Sequence, residues 1–479
     1  MFNSDLNALV PMLCVTLAAL VTMIAEAFRR RGERVPLGGL GVIGLAFAAA
    51  SAAFLWDRNA EAFGVIAADN FGLFVTLVLV VVGILTIMFS GPVLERDGIP
   101  AGEYYTLTLF ALVGMIMMAT ATDLLVIFIA LEILSLAVYV LTGIRRDSPE
   151  GTEGAFKYFL LGAFSSAFFL YGIAFTYGVT GSTLLSEIGV VMAARSTTPD
   201  PMILMAIGLL LVGFAFKISA VPFHMWTPDA YQGAPAIVTG FMSTGVKVAA
   251  VAAFARVFLS SLEPFSGSWT PLVAALAALT MILGTVVGVA QRNLKRMLGY
   301  SSIAHGGYLM VALVAANDLG KEAILFYLLA YAITNLAAFG VIALLGSRDR
   351  ERAELGDYAG LWYSHPRLAA LMTVSLLSLG GLPPTAGFVG KYYVFLAAVS
   401  AGHYWLAIIG VLTSVVSVFF YLRVVVSMYM VEPAGAAAPD RVTGTGLAAL
   451  SLAVAAIVYL GILPSSVIDL AGASIATIF

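Results

Sequence analysis

The sequence predicts an all-α integral membrane protein with about fourteen transmembrane helices. Hydrophobic residues make up 61% of the 479 residues and charged residues only 11%, so a soluble fold could not hide the apolar surface from water. Apolar runs of about 20 residues, long enough to cross a hydrocarbon core ~30 Å thick, recur along the chain. No stretch alternates like a strand of a membrane barrel, which favours a helical bundle.

Each apolar run gives one predicted helix. The first is expected to be a retained span, because the N-terminal stretch lacks the basic start and small-residue cleavage site of a signal peptide. No soluble domain or long linker is expected, so residues 1–479 should form a single membrane domain. The predicted helices lie near residues 8–28, 37–56, 71–91, 104–120, 123–144, 154–178, 201–219, 235–259, 270–290, 301–316, 322–346, 366–381 continuing to about 399, 404–430 and 444–464.

Basic residues in the loops predict the orientation. With the N-terminus outside, fifteen arginine and lysine residues fall in inner loops and three in outer loops, a bias that predicts both termini on the outer side. The inner residues are Arg29, Arg30, Arg31, Arg34, Arg96, Arg145, Arg146, Arg292, Lys295, Arg296, Arg348, Arg350, Arg352, Arg367 and Arg441. The outer residues are Arg58, Arg195 and Lys321.

Four of the six lysines lie within predicted spans instead of loops: Lys157, Lys217, Lys247 and Lys391. Glu132 adds an acid at similar depth. A charged side chain near the bilayer centre costs ~2.5–3.5 kcal/mol, so five such groups would cost roughly 12–18 kcal/mol without compensation. We therefore expect them to face a polar interior and to carry function.

Structural alternatives stay open for several of these groups. Lys217 and Lys391 could satisfy carbonyls freed by neighbouring prolines, and Glu132 could be a structural partner of one lysine. Lys157 lies one turn from the start of its helix, where snorkelling to the inner surface explains it as well as function does. Lys247 lies near mid-depth without a short route to either surface, which favours a functional role.

Prolines are expected to break two of the spans beside lysines. Pro222 follows Lys217, lacks an N–H and would clash with the carbonyl four residues earlier. Pro383 and Pro384 precede Lys391 and act in the same way. Broken helices near the midplane expose polar backbone ends, which membrane proteins use to build ion sites. The reversed order of lysine and proline suits an inverted repeat.

Two histidines are candidate proton relays. His224 directly follows the first break and His305 lies within a span, and a hydrogen-bonded core histidine is the alternative for each. Cys14 is the only cysteine, so an internal disulfide or a cysteine-ligated iron–sulfur cluster is excluded. No metal-ligand spacing or glycine-rich phosphate loop is present in the sequence. The net charge of −3 argues against a nucleic-acid partner.

Four motifs give the sequence a resemblance to the antiporter-like membrane subunits of respiratory complex I, which are related to subunits of Mrp-type Na+/H+ antiporters. They are FKISAVPFHMWTPDAYQGAPAIVTGFMSTGVK, RNLKRMLGYSSIAHGGY, FYLLAYAITNLAAFGV and GLPPTAGFVGKYYVF, within a match spanning about residues 155–430. The resemblance implies two inverted five-helix repeats, residues 101–260 and 267–430, with helices seven and twelve broken. Three peripheral helices would fill residues 1–100, and a last helix residues 444–479.

The resemblance also implies roles for single residues. The family's acid on helix five matches Glu132, and its lysine before the first break matches Lys217. The basic residue on helix eight matches Lys247, and the residue after the second break matches Lys391. A lysine at that last position resembles the N-type branch, whereas the M-type branch carries glutamate. The implied path runs from a Lys217 paired with Glu132, through Lys247 and His305, to Lys391.

The resemblance places the redox chemistry outside this chain. It implies no cofactor here, whereas FMN, iron–sulfur clusters and quinone would belong to other subunits of the complex. Its partners would be neighbouring antiporter-like and small membrane subunits, together with lipids, in a bacterial inner membrane with both termini on the periplasmic side. A cation/proton antiporter subunit and a scaffold subunit with silent charges are the alternatives.

Overall fold

The computed structural model describes residues 2–30, 35–195, 200–346, 351–432 and 443–479. Helices dominate these ranges, as predicted. They are α1 (Phe2–Ala27), α2 (Leu37–Leu55), α3 (Asn70–Asp97), α4 (Ala101–Thr120), α5 (Leu124–Thr142), α6 (Pro149–Thr180), α7 (Leu185–Ala194), α8 (Pro201–Lys217), α9 (Thr227–Gly233), α10 (Ala236–Phe241), α11 (Lys247–Arg256), α12 (Ser266–Ala290), α13 (Leu294–Ala315), α14 (Asp318–Leu345), α15 (Leu361–Ser364), α16 (Pro366–Gly380), α17 (Ala386–Ser400), α18 (Tyr404–Met430), α19 (Gly444–Ile462) and α20 (Ser465–Ile475).

Short turns of other helical types interrupt or extend these helices. Two are π-helical, Met242–Val246 between α10 and α11 and Val257–Ser261 after α11, so one continuous helical segment covers residues 236–261. Three are 3₁₀ turns: Glu263–Phe265, Leu355–Tyr358 and Ala476–Ile478. The sequence did not predict the π turns, because hydrophobic periodicity does not distinguish an added residue in one turn from a continuous α-helix.

Twelve helical segments in the described ranges are long and apolar enough to cross a membrane. The shorter apolar helices α8, α16 and α17 flank the two predicted breaks. The all-α membrane architecture is therefore confirmed. Counting each broken pair as one span would give fourteen, a number that stays a prediction.

The first break begins before its proline. α8 ends at Lys217, Ser219 has a left-handed φ of 63°, and the Ala220 N–H donates to the Ala215 carbonyl at 2.8 Å. These contacts close the helix in the manner of a C-terminal cap. Irregular chain then runs past Pro222 until α9 begins. The predicted helix, which extended to residue 219, was thus two residues too long.

The second break brings two half-helices into close contact. α16 ends at Gly380, and Gly381 caps it with a φ of 78°. Past Pro383 and Pro384, α17 turns back so closely that a Cβ added at Gly387 would lie 1.9 Å from the carbonyl oxygen of Ser378. Glycine is required at this position because the backbone of α16 fills the space that a side chain would need.

A small β-hairpin corrects the expectation of a strand-free chain. β1 (Ala60–Ala62) pairs antiparallel with β2 (Ile66–Ala68) between α2 and α3. Each strand has three residues, too few for an alternating pattern to be recognised. Residues 444–479 also differ from the expected single last helix, because α19 and α20 are separated at Pro464. The short helices α7 and α15 were not predicted either.

The most buried helices form the centre of the bundle. Almost all residues of α13, α14 and the segment 236–261 are buried, whereas only about a third of the residues in the apolar stretches of α1, α2, α6 and α19 are. α4 packs on α5 as α12 packs on α13, and α6 packs against the first broken helix as α14 packs against the second. These matching helix contacts agree with two repeats of similar construction. The exact repeat boundaries stay a prediction.

Charged loop residues meet at one end of the bundle. Arg96 and Arg145 approach Asp97 there, and Lys295 pairs with Glu351 at 2.6 Å. This end is the predicted inner side, although the direction relative to the membrane stays a prediction. Five of the arginines used for that prediction lie outside the described residues: Arg31, Arg34, Arg348, Arg350 and Arg441.

The Lys295–Glu351 pair supports the start of the segment 236–261. Glu351 accepts the Ala236 N–H at 2.7 Å, while Lys295 also donates to the Ala234 carbonyl at 2.6 Å. Burial raises the pKa of the Glu351 carboxyl, but the Lys295 ammonium outweighs that effect and holds the pKa below its usual range. The loop after α14 is thereby fastened to the helix that carries Lys247.

A second buried ion pair joins α3 to the same segment near the predicted outer side. Arg256 donates both terminal nitrogens to Asp69, at 2.6 and 2.8 Å, and its Nε to the carbonyl of Ala119. Asp69 also accepts the Gly72 N–H at the start of α3. The bidentate geometry and added hydrogen bonds compensate for the desolvation of both charges. Arg256 therefore has a structural role at its mid-span position.

Replacing Arg256 by methionine should destabilise the detergent-purified protein by roughly 3–5 kcal/mol, because Asp69 would stay buried without its partner. Thermal unfolding measures the loss. Alanine at Arg195, in a half-exposed pair with Asp200, is the control and should have little effect. Equal melting temperatures for the Arg256 and Arg195 variants would contradict this assignment.

Glu351→Gln should lower stability at neutral pH and flatten its acid dependence. Because the folded-state pKa is depressed, the carboxylate contributes stability above the ordinary glutamate pKa of about 4.3, and this contribution is lost as pH falls through the lower folded-state value. Melting temperatures in detergent across the acid range test this. Glu103→Gln, at the exposed pair with Arg146, serves as control. An unchanged acid dependence would argue against a stabilising Glu351 carboxylate.

Gly387→Ala should destabilise the protein by about 1–3 kcal/mol or more, since its Cβ would meet the Ser378 carbonyl. Gly208→Ala in α8 is the matched control: no atom lies within 4 Å of its added Cβ, and a helical alanine should gain ~0.5–1 kcal/mol. Melting temperatures of the two variants should therefore move in opposite directions. A shift of the same sign in both would show that α16 and α17 can separate without cost.

Candidate functional site

Three lysines are buried along the middle of the bundle. Lys217, Lys247 and Lys391 are 3%, 2% and 4% exposed. The lysine ion pairs shorter than 4 Å that occur among the described residues involve Lys157 and Lys295 instead. A buried ammonium is costly unless hydrogen bonds replace its water. Each of the three must therefore be solvated by protein oxygens. Together with His305, they are called the lysine row below.

Lys217 lies at the end of α8 and meets α5. Its Nζ donates to the Ser135 hydroxyl at 2.7 Å and lies 3.5 Å from the Tyr139 hydroxyl. The rings of Tyr139 and Tyr158 lie 5.3 and 5.5 Å from the ammonium, close enough for cation–π attraction. Hydroxyls and aromatic faces, not freed carbonyls, thus solvate this lysine.

Glu132 does not form the direct pair with Lys217 that was expected. No ion pair within 4 Å joins them in the described structure, and Ser135 takes the ammonium instead. Ser135 lies one helical turn after Glu132 and so shares its face of α5. The Glu132 carboxylate still attracts Lys217 electrostatically, and its buried Oε1 has no hydrogen-bond partner in the chain. The contact between Lys217 and Ser135 was not predicted, because a serine has no charge that would mark it as the partner of a buried lysine.

Lys247 directly follows the first π turn and meets α13. Its Nζ donates to the carbonyl oxygen of Ser302 and, at 2.7 Å, to the Ser302 hydroxyl. The ring of Tyr331 on α14 lies 5.3 Å away. Gly306 separates Lys247 from the first break: an added Cβ would lie 3.6 Å from Lys247 Nζ and 2.8 Å from the Ile218 carbonyl oxygen. Lys247 thus lies near the Ile218 carbonyl, to which Pro222 cannot donate a hydrogen bond because it has no N–H.

His305 lies on α13 between the other members of the row. Its Nδ1 is 2.6 Å from the Tyr327 hydroxyl, and its Nε2 is 3.5 Å from the Tyr421 hydroxyl. Its ring centroid lies 5.1 Å from that of Tyr331, and it lies within electrostatic range of both Lys247 and Lys391. Both ring nitrogens face groups that can donate or accept a proton, as a relay requires.

Lys391 occupies the second break. Its Nζ donates to the carbonyls of Leu379 and Gly380 at 2.8 and 3.2 Å and to the Ser414 hydroxyl at 2.9 Å. The Tyr308 ring lies 5.0 Å away. Carbonyls at the end of α16 are thus satisfied by this lysine, as the structural alternative expected. The same contacts would also hold an ammonium that exchanges protons.

Two further candidates lie away from the lysine row. Lys157 is 41% exposed at its side chain and pairs with Glu153 at 2.5 Å and with Asp229 at 2.7 Å. Arg296 shares Asp229 at 2.7 Å, which makes a charged cluster beside α9. His224 is half-buried in the first break, and its Nδ1 has no partner within the described chain. The structure brings neither residue into contact with the row.

The sequence interpretation missed the hydroxyl groups around the row. They share one property, which is that each can donate and accept a hydrogen bond beside a buried basic group. They are Ser135, Tyr139, Ser302, Tyr327, Tyr331, Ser414 and Tyr421. Three of them occur in quoted motifs, YSSIAHGGY and FYLLAYAITN, but serine and tyrosine are too common in membrane helices for a sequence pattern to single them out.

Comparison with known proteins agrees with this architecture. A family model described as the transmembrane region of NADH:quinone oxidoreductases and Mrp antiporters matches residues 121–417. NADH-quinone oxidoreductase subunit N of Trichlorobacter lovleyi is 42% identical over 473 residues, which cover 98% of this chain and 96% of that protein. The corresponding subunit of Chloroflexus aggregans is also 42% identical, covering 97% and 96%.

Solved structures give the same result. A chain of respiratory complex I from Thermus thermophilus superposes with a TM-score of 0.82 at 35% identity, covering 96% of this chain and 99% of that one. A chain of the Mrp complex from Dietzia sp. gives 0.87 at 21% identity, covering 100% and 98%. At that identity the second likeness concerns the fold alone.

Proposed function

The chain belongs to the family of membrane subunits shared by NADH:quinone oxidoreductases and Mrp antiporters, and we propose that it translocates protons within an NADH:quinone oxidoreductase. The observation that carries the proposal is the lysine row. Lys217, Lys247 and Lys391 are buried without a carboxylate within 4 Å, among hydroxyls and carbonyls that can solvate an ammonium. If these positions had only a structural role, apolar residues would fill them at a lower cost in free energy than buried lysines.

Proton movement would begin at Lys217. The Glu132 carboxylate, one helical turn before Ser135 on α5, attracts the Lys217 ammonium that Ser135 accepts. A charge change in a neighbouring subunit that weakened this attraction would favour release of the Lys217 proton towards Lys247. Gly306 lies between the Ile218 carbonyl of the first break and the Lys247 ammonium, where a side chain would contact both.

The second half of the path would use His305 and Lys391. The Ser302 hydroxyl takes one N–H of Lys247, while His305 faces the Tyr327 and Tyr421 hydroxyls. A proton reaching Lys391 would be held by the oxygens of the second break. His224 and Lys157 would act outside the row, Lys157 by holding Asp229 of α9 in place.

Energy would come from quinone reduction elsewhere in the complex. FMN, iron–sulfur clusters and quinone would be held by other subunits, and this chain would act as a translocase subunit without a cofactor of its own. Its partners would be the neighbouring antiporter-like and small membrane subunits, and its location a bacterial inner membrane with both termini on the periplasmic side. The names of the relatives support this assignment.

A subunit of a cation/proton antiporter is the alternative with the same fold. The higher identity to oxidoreductase subunits, 42% against 21% for the Mrp chain, favours the oxidoreductase. Affinity purification of the tagged chain from its own membranes separates the two, because only an oxidoreductase would bring flavin- and iron–sulfur-containing subunits with it.

Alanine at Lys217 or Lys247 should abolish most NADH-driven proton pumping in assembled complex, since either change removes a proton-binding group from the row. Glu132→Gln should reduce pumping more than assembly. The measurement is acidification by membrane vesicles, with NADH:ferricyanide activity reporting the amount of complex.

Lys321→Ala provides the matched control. This lysine lies at the predicted outer end, 3.6 Å from the ring of Phe479, and has no contact with the row. Full pumping by assembled Lys217 and Lys247 variants would refute the proton path, and failure of every variant to assemble would favour a scaffold role.

A further inference from the structure

We propose that Ser302 and Tyr331 form a hydroxyl switch that hydrogen-bonds Lys247 in both of its protonation states. The inference rests on the proposed proton path and adds two residues to it. A buried amine that gives up a proton changes from three donors to two donors and one acceptor. Without a partner that can reverse its own role, one of the two states would leave a polar group unpaired, which costs ~1–3 kcal/mol.

The contacts around Ser302 identify such a partner. Its hydroxyl oxygen lies 2.7 Å from Lys247 Nζ, 2.8 Å from the Tyr331 hydroxyl and 3.5 Å from the Tyr231 hydroxyl. Ser302 and Tyr331 are both fully enclosed, at 0% and 2% exposure. A serine hydroxyl can rotate to suit its partners, a tyrosine hydroxyl can turn between its two in-plane orientations, and each can donate or accept. The two together can therefore reverse their hydrogen bonds without moving a heavy atom.

Tyr331 has more acceptors than it has protons. Its hydroxyl lies 3.1 Å from the carbonyl oxygen of Ser243 as well as 2.8 Å from the Ser302 hydroxyl, and it has one hydrogen for both. Asn335, one turn further along α14, donates its amide to the Tyr331 oxygen at 3.2 Å and to the Ser243 hydroxyl at 2.7 Å. Asn335 supplies a donor to the Tyr331 oxygen. The single hydrogen of Tyr331 can therefore be donated either to the Ser243 carbonyl or to the Ser302 hydroxyl, but not to both at once.

The charged state has one complete arrangement. The Lys247 ammonium donates to the carbonyl and to the hydroxyl of Ser302, with its third N–H left for transfer. The Ser302 hydrogen then points to the Tyr331 oxygen, and Tyr331 donates to the Ser243 carbonyl. Apart from that third N–H, every hydrogen of this set has an acceptor. The cation also lies near the face of the Tyr331 ring, at 5.3 Å.

The neutral state has a second arrangement, in which the Ser243 carbonyl loses the Tyr331 hydrogen and the Lys247 lone pair gains a donor. After the third proton has passed to the next group in the row, the amine turns about its Cε–Nζ bond and keeps one N–H on the Ser302 carbonyl. Its lone pair now accepts the Ser302 hydrogen, and Tyr331 turns its own hydrogen from Ser243 to the Ser302 oxygen. Neither hydroxyl loses a proton, so the net change is the single proton lost by Lys247.

Other titratable groups approach this set from neighbouring helices: Tyr231 on α9 and His305 on α13. The first break approaches Lys247 through the Ile218 carbonyl, on the other side of Gly306. Asn335 contributes a second observation: its Oδ1 is buried without a partner in the chain, so its amide is oriented by its two donor contacts alone. Asn335 is therefore a positioning residue that keeps the Tyr331 oxygen supplied with a donor.

Tyr331→Phe tests the switch in the assembled complex, because it keeps the ring beside Lys247 and removes only the hydroxyl. We expect NADH:quinone activity coupled to pumping to fall about fivefold, because that rate change corresponds to the net free energy of one hydrogen bond. We also expect the ratio of rates in H2O and D2O to rise, since proton transfer at Lys247 becomes slower than other steps. Ser302→Ala should behave similarly.

Tyr104→Phe is the matched control. Tyr104 accepts a hydrogen bond from Ser90 at 2.8 Å in an equally buried tyrosine–serine pair, without a lysine nearby. A structural role for the Tyr331 hydroxyl would reduce the amount of complex, as measured by NADH:ferricyanide activity, but would leave the isotope ratio of the assembled fraction unchanged.

The outcomes separate the switch from the proton path on which it rests. Loss of pumping in Lys247→Ala with full pumping in Tyr331→Phe and Ser302→Ala would overturn the switch alone. Equal effects of Tyr331→Phe and Tyr104→Phe would overturn it as well. Full pumping in assembled Lys247→Ala would overturn the path and the switch together.

Discussion

The need to solvate ammonium groups inside an apolar bundle governs much of this structure. Lys217, Lys247 and Lys391 are buried where water would otherwise provide their hydrogen bonds, and each meets hydroxyl or carbonyl oxygens from another helix or half-helix. Burying a charge without such partners would cost a large part of the stability of the protein. Helix breaks, π turns and close packing around α13 and α14 are features that bring these oxygens to the lysines.

The two broken helices provide different hydrogen-bond partners for their lysines. At the second break the lysine lies on the carbonyls that end α16, so the break and the ammonium satisfy each other. At the first break, Lys217 donates to Ser135 on α5. The C-terminal end of α8 is capped by a backbone hydrogen bond from Ala220 to Ala215. A lysine held by a serine close to Glu132 can respond to that carboxylate, whereas Lys391 is held by fixed backbone dipoles.

Rigid ion pairs surround this adaptable centre. Arg256 with Asp69 and Lys295 with Glu351 anchor the segment 236–261 towards its two ends, and Lys247 lies between them. Carboxylates therefore fix the frame, while hydroxyls contact the lysines inside it. That division suits proton transfer, because a salt bridge favours one charge state strongly and a hydroxyl can serve either.

The sequence by itself determined the membrane class, the positions of the long helices, both breaks and the buried lysines, because length, apolarity, proline and charge are local properties of the chain. Only the tertiary structure decided that Lys217 donates to Ser135 and not to Glu132, that Ser302 and Tyr331 contact Lys247, and that Lys157 and His224 lie away from the row. These contacts join residues far apart in sequence, and they depend on how helices rotate against one another. A hydroxyl also carries no charge whose burial cost would mark it in the sequence.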